Sequence, residues 1–258
     1  MDTNRNIDLK EIINLIEQIK NRCISQVEKL RFGKKHPQHL ILISLYGSIL
    51  ELADGCIILL KTQRYTGFPI LLRSLFEGYI DLINLVKNKH YFRNMNATYL
   101  NERLRVLRHA YENKANPYLK DISNKKDLKE TIDDIKAELK ELEKKGFKPL
   151  SIFEKFKLAK LINEYQSIYA ELCLDTHNNI RALEERHIEP ISGDFNVIFN
   201  KSIKYNDIMH FIDLLVFTIV DSSKQIWNFF GMSVDQDQDK IKKSFNEFRQ
   251  KYIFPDSK

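Results

Sequence analysis

The chain has 258 residues, enough for one large domain or two small ones with a sizeable core. Hydrophobic residues make up 43% and charged residues 29%, ordinary proportions for a soluble globular protein, while eight Gly and six Pro are too few for a turn-rich all-β fold. A net charge of +6 is compatible with a nucleic-acid partner, but the Lys and Arg are interleaved with Asp and Glu and no stretch forms a basic arm.

The apolar periodicity predicts eight or nine helices and no strand. The first covers about 7–31, with Ile12, Ile13, Leu15, Ile16, Ile19, Cys23, Ile24 and Val27 at helical spacing, and "GKKHPQ" breaks it. The second covers about 38–63 and ends at "RYTGFP". Its stretch 40–60, "LILISLYGSILELADGCIILL", has the length of a membrane span. Glu51 and Asp54 near its centre would each cost roughly 2.5–3.5 kcal/mol in a bilayer, so a buried core helix is expected and no membrane partner.

The third helix, about 68–88, contains "LLRSLFEGYIDL", and the fourth, about 97–114, carries Arg103, Arg105 and Arg108. The segment 124–145 places Leu128, Ile132, Ile135, Leu139 and Leu142 at alternating spacings of four and three, with Lys and Glu elsewhere and Gly146 as a C-cap. Residues 118–150 therefore read as a charged, coiled-coil-like helical arm or insertion. It would serve as an ordinary amphipathic helix or as a dimer contact. A helix follows over about 152–173. In "LDTHNN", Asp175 or Thr176 is expected to cap a further helix running to about His187, which Pro190 and Gly193 end. Long helices over about 204–230 and 235–252 complete the chain. The expected fold is all-α, a single multi-helix bundle whose core spans about 38–117 and 152–230.

Three cysteines, Cys23, Cys56 and Cys173, form no CxxC pair or disulfide framework, which points to a reducing compartment. The first twelve residues contain no apolar h-region, so no signal peptide and a cytoplasmic location are expected. There is no P-loop, GxGxxG, GxSxG or HExxH, and no cofactor is expected.

Candidate chemistry lies in three places. In the third helix Arg73, Glu77, Asp81 and Asn84 share one narrow stripe of an otherwise apolar surface. In the second, Ser44, Gly47, Ser48, Glu51, Asp54 and Gly55 share one side. If the stripes face each other, Arg73 pairs with Glu51 or Glu77 in a sheltered network; if they do not, each is a solvated surface stripe. In "DTHNNIRALEERH", His177 and Arg181 are one turn apart, and Asn178 and Asn179 stand at a helix start, where anions are attracted. A carboxylate–histidine metal site built from Glu51, Asp54, Glu77, Asp81 and His177 is a third alternative. A paired Glu-x-x-His motif is missing, since only Glu184–His187 has that spacing, and no metal is expected.

Arg181 and His187 also have a spacing that resembles the R-x4–6-H motif of the HEPN ribonucleases, a helical prokaryotic fold. A His there would move a proton at the ribose hydroxyl or leaving oxygen, and an Arg would stabilise the phosphorane. Arg31–His36 and Arg103–His109 match the same short pattern, and Ala182 stands where those enzymes usually have a polar residue.

The stretch "LYGSILELADGCIILLKTQRYTGFPILLRSLFEGYIDLINL", residues 45–85, resembles an uncharacterised family of bacterial helical proteins. Its members share an "E-L-A-D" helix, a Gly-containing turn and an "L-R-S-L-x-E" helix. They also share a later His near a helix start, to which His177 corresponds. The resemblance extends over about 38–230 and implies Glu51, Arg73, Glu77 and His177 as the residues of interest, with no activity attached.

The leading functional expectation is an RNA-directed effector of the toxin or phage-defence kind, acting as a homodimer and without a metal. His177 or His187 would be its acid/base and Arg73 or Arg181 its phosphate contact. The alternative is a non-catalytic assembly module in which the charged stripe is a structural network.

Overall fold

The computed structural model describes residues 9–33, 35–177, 179–199, 205–232 and 236–253. It is an all-α multi-helix bundle with one small hairpin. The helices are α1 (Leu9–Val27), α2 (Pro37–Lys61), α3 (Phe68–Lys87), α4 (Tyr91–Glu112), the short α5 (Lys120–Ser123) and α6 (Leu128–Lys144). After them come α7 (Ile152–Ala159), the short α8 (Ile162–Glu164), a π-helical turn (Tyr165–Tyr169), α9 (Ala170–Thr176) and α10 (Ile180–His187). Beyond the hairpin lie α11 (Tyr205–Phe229), α12 (Gln236–Phe248) and a second π-helical turn (Arg249–Ile253).

α3 lies at the centre of the bundle. It contacts α2, α11, α7 and α9, and buries Leu72, Leu75, Phe76, Tyr79, Ile80, Leu82, Ile83 and Leu85. Full burial of each such side chain stabilises by about 1.5–3 kcal/mol, so this helix is fixed in register by apolar contacts and its polar residues must go where the packing takes them. α2 and α3 form a hairpin across the turn at 62–67, each with Pro in its first turn, where a missing N–H costs nothing. They approach closely, because a Cβ on Gly55 would stand 3.0 Å from Leu71 Cδ1. Among the described residues α2 is the helix long and apolar enough to cross a membrane; here Leu42, Tyr46, Ile49, Ala53, Cys56, Ile57 and Leu60 are buried in the bundle core.

The charged segment folds back on its own chain. α6 lies against α4, and Leu128, Ile132 and Ile135 form a second, smaller core with Leu100, Leu104, Leu107 and Ala110. The seam of fours and threes is thus satisfied within the chain. α4 also begins earlier than its periodicity suggests, since Tyr91 is buried and Phe92 and Met95 pack against the bundle core.

Two expectations are corrected. The helix over 152–173 is not continuous: Lys160 takes a left-handed conformation at φ +64° and ends α7, and the chain restarts through α8 and the π-helical turn. The region after His187 is not merely a helix stop. Ile188–Ile191 (β1) and Asp194–Val197 (β2) pair antiparallel, with Pro190 opposite Phe195 and Gly193 in the turn at φ +78°. Pro is tolerated because a two-stranded sheet consists only of edges.

Candidate functional site

The π-helical turn places a tyrosine against α3. Its extra residue per turn is a local departure from α geometry of the kind often found at functional positions. Tyr165 and Tyr169 stack with centroids 5.5 Å apart, and Phe156 braces Tyr169 at 4.8 Å. The Tyr169 hydroxyl then donates to Glu77 Oε1 at 2.7 Å and accepts from Arg73 Nε at 3.3 Å. Arg73 Nε also reaches Glu77 Oε1 at 2.9 Å, closing a triangle, and the guanidinium carbon lies 5.5 Å from the centre of the Tyr169 ring. On its other side Arg73 Nη1 is 3.3 Å from His177 Nε2. A guanidinium can only donate, so this hydrogen bond takes the neutral imidazole with its proton on Nδ1.

The four side chains grade from sheltered to open. Tyr169 is buried, the Arg73 and Glu77 side chains are 22% and 37% exposed, and His177 lies at the surface where α9 ends. Burial works against the Arg73 charge, but Tyr169, Cys173 and Glu77 outweigh it and hold the guanidinium above its ordinary value. Burial, and then the bond to Glu77, push the Tyr169 hydroxyl upward, so it stays protonated as a donor at neutral pH. The cluster therefore has a fixed cation, an oriented phenol and one imidazole open to solvent.

Asp81, one turn further along α3, belongs to a separate node. It accepts from the Tyr91 hydroxyl at 2.6 Å and from Lys155 Nζ at 2.9 Å. Asn84 Nδ2 donates to the Lys155 carbonyl at 2.9 Å, so this node ties α7 to α3 and α4. The carboxylates of α2 do not join either group. Glu51 is exposed, and Asp54 pairs with Lys20 of α1. The expected convergence of Glu51 and Asp54 on Arg73 is thus corrected: α2 packs on α3 through apolar residues and Gly55, while Glu51 is exposed and Asp54 turns to α1. Among the described residues no group of three or more His, Cys, Asp or Glu side chains is placed to hold a metal ion, so the carboxylate–histidine alternative is not assembled.

The R-x5-H pair is not assembled either. Arg181 is exposed and bonded to Glu185 at 2.7 Å, an i,i+4 pair on α10. His187 instead meets the Ile198 carbonyl at 3.1 Å through Nδ1, at the base of the hairpin. Helix α10 is capped by Asn179, whose side chain accepts from the Ala182 N–H, not by Asp175 or Thr176, which end α9. Asn178 lies outside the described residues.

Two functional-looking residues had no clear sequence signal. Tyr169 lies within the stretch 152–173, whose periodicity reads as one continuous helix with no mark on this tyrosine. Arg186, adjacent to the motif residue His187, is the buried arginine of this segment: it donates to the Asp175 carbonyl and, at 3.2 Å, to Asp175 Oδ1. Burial raises the Asp175 carboxyl, and Arg186 opposes the rise. This pair fastens α10 to the end of α9, and with it the backbone next to His177.

No curated protein matches the chain, and no solved structure matches it. A family model does, over residues 39–195, a span of 157 of the 258 residues that contains Arg73, Glu77, Tyr169 and His177. The chain belongs to DUF5677, a family of unknown function.

Proposed function

We propose that the Arg73–Glu77–Tyr169–His177 cluster is the acid–base centre of an RNA-directed effector, of the bacterial toxin or phage-defence kind and akin to the HEPN ribonucleases. The observation that carries this reading is the exposed His177 imidazole 3.3 Å from the Arg73 guanidinium. RNA cleavage without a metal needs two things. A base takes the proton from the ribose 2′-hydroxyl as its oxygen attacks phosphorus, and a cation stabilises the charge that builds on the phosphorane. The 5′-oxygen then leaves with a proton, giving a 2′,3′-cyclic phosphate and a 5′-hydroxyl; no oxidant or further reactant is required. In this reading Arg73 turns from His177 Nε2 to hold the phosphate, and the nitrogen so freed takes the proton. Glu77 and Tyr169 position Arg73.

A second reading is favoured by the neighbouring surface. Ile180 on α10 and Phe199 just beyond the hairpin are each 77% exposed, and Phe195 in the hairpin is 58% exposed. Apolar side chains so exposed suit an interface. In that reading the protein is an assembly module, a homodimer in its simplest form, and Arg73–Glu77–Tyr169 is a structural network.

Expression of wild type and His177→Ala in bacteria, followed by incubation of each purified protein with total RNA in a chelator, separates the two. The effector slows growth and fragments RNA to cyclic-phosphate ends. His177→Ala does neither and keeps its melting temperature, since the side chain is exposed. Intact RNA with wild type, together with destabilisation of Arg73→Ala by about 1 kcal/mol as for a partly exposed pair, would overturn the effector and favour the module.

A further inference from the structure

Between the bundle and the charged arm lies an open groove of about 840 Å³, formed where the start of α2 meets the first turns of α4 and the end of α6. Its floor and walls include Ile41, Phe92, Met95 and Tyr99. Arg93 and Lys145 line it as well. The volume falls within the range of small-molecule sites, which are mainly apolar with a few placed polar groups.

The two cations are the informative part. Among the described residues neither Arg93 nor Lys145 has a carboxylate within ion-pairing distance, although this chain pairs many of its surface charges. The carboxylate bound to a groove residue is Glu138, which accepts from the Asn96 amide at 3.0 Å. Arg93 is held in place by aromatic faces, its guanidinium carbon 5.0 Å from the Phe147 ring centre and 5.8 Å from that of Phe92. A guanidinium stacked in this way keeps its N–H edge free to donate in a fixed direction. Lys145, the C-cap of α6, brings the second positive charge to that rim.

From this combination we propose that the groove binds a small aromatic anion: a flat ring system lying against Phe92, Met95 and Tyr99, with its sulfonate, carboxylate or phosphate group held by Arg93 and Lys145. The site is independent of the Arg73 cluster and stands whether or not RNA is cut. Charge complementarity selects the occupant. An apolar peptide would leave both cations unmatched, and a simple inorganic anion would leave the apolar floor wet.

Isothermal titration of the whole chain with naphthalene-2-sulfonate tests this, with 2-naphthol as the uncharged counterpart of similar ring area. The sulfonate is expected to bind at one site per chain, at least about tenfold more tightly than the naphthol, as one charge-assisted contact provides. Arg93→Ala with Lys145→Ala should bring the sulfonate down to the level of the naphthol, while the variant still unfolds in one cooperative thermal transition. Lys145→Arg, which keeps both charges and leaves the stacked Arg93 guanidinium in place, should retain binding. Absence of saturable sulfonate binding, equal affinity for the two probes, or unchanged affinity in the alanine variant would overturn the proposal.

Discussion

At the level of single residues, Tyr169 holds the candidate site together. Its hydroxyl bridges Glu77 and Arg73, while Arg73 and Glu77 also touch directly. Tyr169→Phe removes the hydrogen bond to the partly exposed Glu77 carboxylate and the longer, weaker one accepted from Arg73 at 3.3 Å, and leaves both the ion pair and the ring beneath the guanidinium. The expected cost is therefore about 1 kcal/mol, read as a lower urea midpoint at unchanged slope. If Tyr169 only positions Arg73, any RNA cleavage falls modestly and its pH profile keeps its shape. A lost limb of that profile, with stability unchanged, would instead make the phenol a proton donor in the reaction. Glu77 thus has a role the sequence shows in part: the i,i+4 spacing with Arg73 is legible, but the third partner is 92 residues away in the chain. The same limit applies to Glu51. Its position on a polar stripe is plain from the sequence, whereas the direction that stripe faces depends on the helix pairing.

At the level of elements, four helices among the described residues end in one backbone motif. At the ends of α2, α6, α7 and α11 the N–H one residue beyond the left-handed position bonds back five residues, as Phe147 does to the Leu142 carbonyl and Leu161 to that of Phe156. Gly146 and Gly231 occupy the left-handed position in α6 and α11, but Gln63 at φ +53° and Lys160 at φ +64° occupy it in α2 and α7. A side chain there costs about 1 kcal/mol, and glycine relieves it at some expense in unfolded-chain entropy. Lys160→Gly and Gln63→Gly should each raise stability by up to about 1 kcal/mol, seen as a higher thermal midpoint, while Gly146→Ala should lower it by a similar amount. This also explains which element boundaries could be read in advance. The stops at Gly146 and Gly231 carry their signal in the residue itself. The stop at Lys160 does not, so the stretch 152–173 reads as one helix although it is three pieces and a π-helical turn. That unsignalled break is what brings Tyr169 to α3, so the missed boundary and the missed site residue share one cause. The hairpin at 188–197 was hidden for a different reason: Pro190 and Gly193 are equally good signs of a helix end and of a short edge strand with a turn.

At the level of the whole molecule, the chain has two cores of very different depth. The main one gathers α1, α2, α3, α7, α9, α11 and α12, whereas the arm relies on Leu100, Leu104, Leu107, Ala110, Leu128, Ile132 and Ile135 between just two principal helices. Regions with few buried apolar contacts open at lower free energy than the global transition. Hydrogen exchange should therefore show amides of α6 and the distal part of α4 exchanging well before those of α3 and α11. Ile132→Ala should sharpen the contrast. A cavity in a two-helix core costs about 2–5 kcal/mol locally, enough to open the arm while leaving α3 protection almost unchanged. The aromatic-anion groove lies at the root of this arm, lined by Arg93 and Tyr99 of α4 and Lys145 at the end of α6. A ligand that bridges these elements binds only the closed arm, so naphthalene-2-sulfonate should slow exchange in α6 in proportion to its occupancy. Uniform slowing across α3 and α6 would mean that the arm and bundle open together as one cooperative unit. Slowing confined to α6 would establish the arm as a separately folding element whose closure a small anion can govern.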